Sequence, residues 1–153
     1  MMKIITNILG AVLCLTALIG FFNNDFMKMD LSPLHCGFLL VAGAISLYFG
    51  TQGTEFQARN MCRTLGIMFA LLGGVTFLGT PGHATAGGVD IASDNVLKII
   101  PGQLEYTTAD GVRNLLLGLV GLVAGFFPRE QEIEIDTKLD QARLKAEKAA
   151  TQH

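Results

Sequence analysis

Tryptophan is absent from this chain, tyrosine occurs only at Tyr48 and Tyr106, and charged residues make up only 16% of its 153 residues. The scarcity of charge is concentrated in four places. No Asp, Glu, Lys or Arg falls within Ile4–Phe22, Leu34–Gly50, Thr64–Gly79 or Asn114–Phe127, runs of 14 to 19 residues. A soluble domain interleaves charge with apolar residues to make one-sided helices and strands. These runs are apolar on every face, so their natural surroundings are lipid or other apolar helices. With 50% hydrophobic residues and a mean hydropathy of +0.46, the composition is that of a small polytopic membrane protein.

Other absences exclude function classes. The formal charge of −2 and pI near 5.8 lack the basic footprint that nucleic acid requires. The three cysteines, Cys14, Cys36 and Cys62, fall in or beside different apolar runs and form no C-x-x-C, so they read as small hydrophobes. No run contains the intramembrane acid that a proton- or cation-coupled carrier uses. Haem held between helices needs histidines inside the bundle, and only His35 sits in a run, near its end. A metal site from His35, Cys36 and His83 is a weaker reading than a histidine hydrogen-bonded at the membrane interface. No nucleophile–base pair can be assembled, so neither catalysis nor a cofactor is expected.

The N-terminus has Lys3 before an apolar run that is long for a secretory h-region. Neither Leu18-Ile19-Gly20-Phe21-Phe22 nor Ala11-Val12-Leu13 before Cys14 offers a cleavage pattern, so an uncleaved first span is expected. Ser32-Pro33 makes a helix entry for the second span, with Ser as cap and Pro at the first helical position. The third begins near Phe56 to Arg59, and Thr107 or Thr108 caps the fourth, which Pro128 closes. The aromatic belt falls to the two tyrosines and to Phe21, Phe22, Phe49, Phe126 and Phe127 at span ends.

The distribution of Lys and Arg orients the chain. Lys3, Arg59, Arg63, Arg129 and the basic tail lie on one side, which predicts both termini in the cytoplasm. Lys28, Lys98 and Arg113 lie on the other with Asp25, Asp30, Asp90, Asp94, Glu105 and Asp110. The domain division expected is a transmembrane unit over 1–128 and a charged, Ala-rich cytoplasmic tail over 129–153, with Glu134 and Lys138 as a helical ion pair.

Small residues recur at four-residue spacing: Ala42, Ser46 and Gly50; Gly66, Ala70 and Gly74; Gly121 and Gly125. Such ridges let helix backbones approach closely, within the chain or between chains. The connection from Thr80 to Glu105 is rich in turn formers and carries an apolar patch, Val96–Ile100, that either lies at the membrane surface or covers the outer end of the bundle; capping the bundle is favoured over a functional loop. Polar residues gather at that end: His35, Asp110, Arg113 and Asn114. Arg113 can pair with Asp110, three residues earlier on the same helix face, which is the structural reading; an anionic headgroup or a partner carboxylate is the functional one.

Gly20-Phe21, Pro33-x-His35 followed by Leu39-Leu40-Val41-Ala42-Gly43, Ala58-Arg59 leading into Gly66–Leu72, and Asp110-x-x-x-Asn114-Leu115-Leu116-Leu117-Gly118 together resemble a bacterial four-helix membrane family known only as domain of unknown function 4383. The likeness covers roughly Thr6 to Pro128. The family often has further histidines on the second helix and at the start of the fourth, where this chain has Leu39 and Asn114. The resemblance implies a four-helix integral membrane protein and supplies no activity.

The expected architecture is therefore all-α: an integral membrane bundle of four transmembrane helices with a cytoplasmic C-terminal helical tail, in a bacterial inner membrane. The expected role is non-catalytic, a structural or accessory subunit packed against other membrane subunits or against itself. The alternative is a lipid or small-molecule binding protein, channel or carrier, using the outer polar cluster.

Overall fold

The computed structural model describes residues 2–24 and 26–126; the tail expected from Arg129, together with Phe127 and Pro128, lies outside the described residues. Helix α1 spans Met2–Phe22, α2 Pro33–Thr51, α3 Glu55–Thr76 and α4 Thr108–Phe126. Each begins where the chain supplies a cap. Ser32 accepts from His35 N ahead of Pro33, as the sequence indicates. Thr54 and Gln57 bond reciprocally at the start of α3, 2.8 and 3.2 Å.

Helix α1 packs along α2, and α3 along α4, and the two pairs meet mainly through α1 and α3. The small-residue ridges make these approaches possible. A Cβ at Gly66 would lie 2.5 Å from Leu122 N, and one at Gly121 would lie 2.8 Å from Cys62 O. On the other pair, Gly43 faces Gly10 and Cys14, and Gly50 faces Asn7. Ser46 is buried and bonds Ala42 O, while Gly118 and Gly125 sit on Ala70 and Arg63. The ridges are thus used inside the chain. Gly74 is the exception: it is exposed, with nothing within 4 Å of an added Cβ. Cys36 and Cys62 are buried free thiols that fill these seams as small hydrophobes. The outward faces are large and apolar, with Val41, Leu71 and Leu119 among the exposed side chains.

Three helices, α1, α2 and α4, are long and apolar enough to cross a membrane. Helix α3 is as long but carries Glu55, Arg59 and Arg63 in its first half, which lowers its mean hydropathy.

The expectation of an all-α chain is corrected by the segment between α3 and α4. It folds into a three-stranded antiparallel sheet, β1 (Thr80–Ala84), β2 (Ile91–Ile100) and β3 (Leu104–Tyr106), with β2 in the middle. His83 pairs with Ala92 and Ala84 with Ile91; Lys98 pairs with Glu105 and Leu97 with Tyr106. The physical reason is local. Pro101-Gly102 forms a tight turn, Gly102 taking φ +74° and Gln103 N bonding Ile100 O at 2.9 Å, which folds β3 back on β2. The β-branched Ile91 and Val96 then pack with Ala84 in a small core of their own. Of the expected apolar patch, Val96 is buried, while Ile99 and Ile100 stay 47% and 43% exposed. Only part of it therefore covers anything.

Candidate functional site

The sheet end of the bundle gathers α1's C-terminus, the 26–32 turn, α2's N-terminus and α4's N-terminus. The four polar residues expected there do meet. His35, Asp110 and Asn114 are fully or almost fully buried, and the Arg113 side chain is 15% exposed.

Asp110 is the hub. Its Oδ2 accepts from Asp30 N and Thr107 N, both at 3.0 Å, and Thr107 Oγ1 accepts in return from Asp110 N at 3.4 Å. That reciprocal pair is a capping box that starts α4. The Thr107 hydroxyl reaches Lys28 O at 2.8 Å, tying the cap to the 26–32 turn. The other carboxylate oxygen, Oδ1, stands 3.5 Å from Arg113 Nη2 as an ion pair and makes no hydrogen bond among the described residues.

Arg113 is shared among four partners. Its Nε and Nη2 donate to Asn114 Oδ1 at 3.2 and 2.9 Å, Nη2 approaches His35 Nε2 at 3.1 Å, and Nη1 reaches the Met29 sulfur at 3.4 Å. The protonation of His35 follows from its neighbours. Nδ1 lies 3.0 Å from Asp30 O, and a carbonyl only accepts, so Nδ1 carries the proton. Nε2 is then free to accept from Arg113, and the ring is neutral. Tyr106 covers it, ring centroids 4.8 Å apart. The circuit closes: Asp30, His35, Arg113, Asp110 and back to Asp30. Two buried atoms of the cluster have no hydrogen-bond partner among the described residues, Asp110 Oδ1, which has only its ion pair with Arg113, and Asn114 Nδ2.

Two carboxylates that the sequence offered only as surface charge prove to be structural. Asp30 Oδ1 and Oδ2 accept from Gly87 N at 2.6 Å and Ala86 N at 3.0 Å, pinning the β1–β2 turn to the bundle. Asn24 Nδ2 adds a bond to Gly87 O. Glu105 accepts from Thr85 N at 2.7 Å and Gly102 N at 3.0 Å, with Lys98 Nζ at 3.3 Å. Acids close to glycine-rich turns are the signal that could have found them, since a carboxylate satisfies turn N–H groups well. A further lock joins β2 to α4, where Ser93 Oγ meets Thr108 Oγ1 at 2.8 Å and accepts from Thr108 N at 3.0 Å.

The two carboxylates titrate in opposite senses. Burial, with help from Asp110 and Glu105, pushes Asp30 from 3.8 up to about 6 against the pull of its two backbone bonds. Glu105 is desolvated too, but its bonds to Gly102 and Thr85 and the Lys98 ammonium outweigh that and bring it below 4.5. Burial lifts the Tyr106 hydroxyl to about 12. Between 3.8 and about 6 the folded protein holds a proton at Asp30 that the unfolded chain has released, so this contribution is lost as pH rises through that window. Glu105 contributes above its ordinary 4.5, and that contribution is lost as the pH falls. The thermal midpoint of the detergent-solubilised protein should therefore drop as the pH rises from about 4.5 to about 6, and Asp30→Asn should flatten the drop. An unchanged slope in Asp30→Asn would assign the effect to another group.

The metal set weighed as the weaker reading, His35, Cys36 and His83, is not brought together. His83 is exposed on β1 and paired with Asp90 at 2.6 Å, apart from His35 and Cys36. Among the described residues no three His, Cys, Asp or Glu side chains are grouped to hold a metal ion. A concavity of about 860 Å³ between the β1–β2 hairpin and the start of α4 is lined by residues that include His83, Ser93, Asp94 and Thr108. Its hydroxyls are committed to the Ser93–Thr108 lock. No protein-family model, curated protein or solved structure matches this chain.

Proposed function

We propose that this chain is a non-catalytic integral membrane protein that serves as a structural or accessory subunit. In this reading all four helices cross a bacterial inner membrane, α3 shielded by its neighbours, with both termini cytoplasmic and the sheet outside. The motif likeness to domain of unknown function 4383 belongs to the same proposal. The observation that carries it is the closed polar circuit of Asp30, His35, Asp110 and Arg113. Polar groups that serve a transported or reacting molecule are left open to it. Here Asp30, His35 and Asp110 turn on one another and on one edge of Arg113, and so clamp a sheet to the end of a bundle. The clamped lid is what a fixed scaffold requires and a gated path does not.

With the ridges used internally, one open face suited to a partner helix is the outer face of α3. There Gly74 lies open beside Ile67 and Leu71, 46% and 63% exposed. In a gentle detergent the chain should run as an assembly heavier than its own 16.4 kDa in a micelle. Gly74→Trp should break that assembly while the chain stays folded. Recovery only as a monomer, or a C-terminal reporter active only outside the cytoplasm, would end this reading. The alternative of lipid binding has one feature in its favour, a groove beside Arg113.

A further inference from the structure

Helices α1 and α4 barely touch, and between them runs a groove of about 530 Å³, well within the range of ligand pockets, about 300–1,000 Å³. One wall is Thr16 of α1 and the other Val112, Leu116 and Leu117 of α4. The 26–29 turn closes the end nearest the sheet with Phe26, Met27 and Met29. Met27 and Lys28 take left-handed backbone, φ 55° and 61°, a conformation that side-chain-bearing residues rarely adopt. The turn is held there by the bond from Thr107 to Lys28 O. The groove is apolar along its length apart from Thr16, whose hydroxyl donates to Val12 O, and Arg113, which lies near this turn.

Arg113 has five N–H donors. Nε and Nη2 are committed to Asn114 and His35. Nη1 carries two N–H groups, and the acceptor given to it among the described residues is the Met29 thioether, a weak one. Beside hydrocarbon, a guanidinium donor without an oxygen acceptor is costly. An apolar slot with a cationic donor at its membrane-surface end has the polarity of a lipid, chain inward and oxygen outward. A protein helix would fill the slot but bring no acceptor to that depth, because its backbone is already bonded to itself.

We propose that this groove binds one phospholipid of the leaflet on the sheet side, an acyl chain lying between α1 and α4 and a glycerol-ester or phosphate oxygen accepting from Arg113 Nη1. The lipid would wedge the two helix pairs apart at this edge and complete the Arg113 shell. The inference rests on reading α1, α2 and α4 as spanning helices, and goes beyond the accessory role in assigning a ligand.

The test strips the full-length protein of loosely held lipid by repeated detergent exchange and counts phospholipid per chain by native mass spectrometry and phosphorus assay. Wild type should retain one phospholipid per chain. Leu116→Trp, which fills the groove and leaves Arg113 untouched, should lower retention about tenfold, the change expected from losing roughly 1.4 kcal/mol of binding. Arg113→Gln should do the same where it folds. Val41→Trp, exposed on α2, which gives no residue to the groove lining, should retain lipid like wild type. No retained phospholipid in folded wild type overturns the proposal. So does retention that ignores Leu116→Trp, or a retained molecule free of phosphorus such as an isoprenoid quinone. Alkaline carbonate washing of the membranes separates the two levels. A chain released by the wash refutes the membrane reading itself, whereas a chain that stays and holds no phospholipid refutes only the lipid site.

Discussion

A single methyl group at Gly66 should loosen the bundle more than most core truncations. In Gly66→Ala the new Cβ would stand 2.5 Å from Leu122 N and 2.7 Å from Gly121 C, both backbone atoms of α4. A side chain can turn away from such a clash, but a helix backbone must translate, and α3 meets α4 along the whole ridge of Gly66, Ala70 and Gly73. The expected cost is at the upper end for overpacking, about 3 kcal/mol. Gly74→Ala, on the same helix and in the same four-residue series, meets nothing within 4 Å. It should be neutral or stabilising by up to about 1 kcal/mol through helix propensity. Thermal unfolding of the two variants in one detergent decides the matter. Equal midpoints would mean that close backbone approach is not what holds α3 to α4.

The contrast between Gly66 and Gly74 also shows how far the sequence could be read. Four helices were legible because long uncharged runs have few other ways to satisfy their backbone, and the caps at Ser32 and Thr107 announced two of the starts. The spacing of small residues announced close packing but not which face each glycine presents, which depends on the neighbour that arrives. The sheet was harder to see. β1 reads Thr-Pro-Gly-His-Ala, with two residues that disfavour strands, and it is held by pairing with β2 and by its turn's bonds to Asp30 and Glu105. Those acids lie 57 residues from Gly87 and 20 from Thr85, so no local pattern couples them. Pro101-Gly102 was a turn signal in plain view, and taken with Ile99-Ile100 before it and Leu104 after it, it marks a hairpin.

The site followed the same division. His35, Asp110, Arg113 and Asn114 were marked by being polar beside apolar runs, and they do converge. Their partner Asp30 looked like an ordinary loop residue and Tyr106 like a member of the interfacial aromatic belt, because burial under a sheet is a tertiary fact. The pairing of Asp110 with Arg113 was legible from their spacing. The hub role of Asp110 was not, since Asp30 is 80 residues away in the chain.

That hub role sharpens what should happen when the pair is altered. Asp110→Asn keeps an oxygen for Asp30 N and Thr107 N, so the capping box and the tie to the 26–32 turn can survive. What it removes is the charge 3.5 Å from Arg113, leaving a nearly buried guanidinium whose other partners are all neutral. Breaking one side of a buried ion pair costs about 3–5 kcal/mol, because the surviving charge has nothing to offset its desolvation. The double variant Asp110→Asn, Arg113→Gln should cost clearly less than Asp110→Asn alone, since no unpaired charge remains. Arg113 is long enough to lean toward water, which will trim the difference without reversing it. Thermal midpoints of both variants, measured beside wild type in one detergent, give the comparison. Should the double variant prove as unstable as the single, the pair's value would lie in hydrogen bonds made by Arg113 to His35 and Asn114. The circuit, not the charge, would then be what clamps the sheet to the bundle.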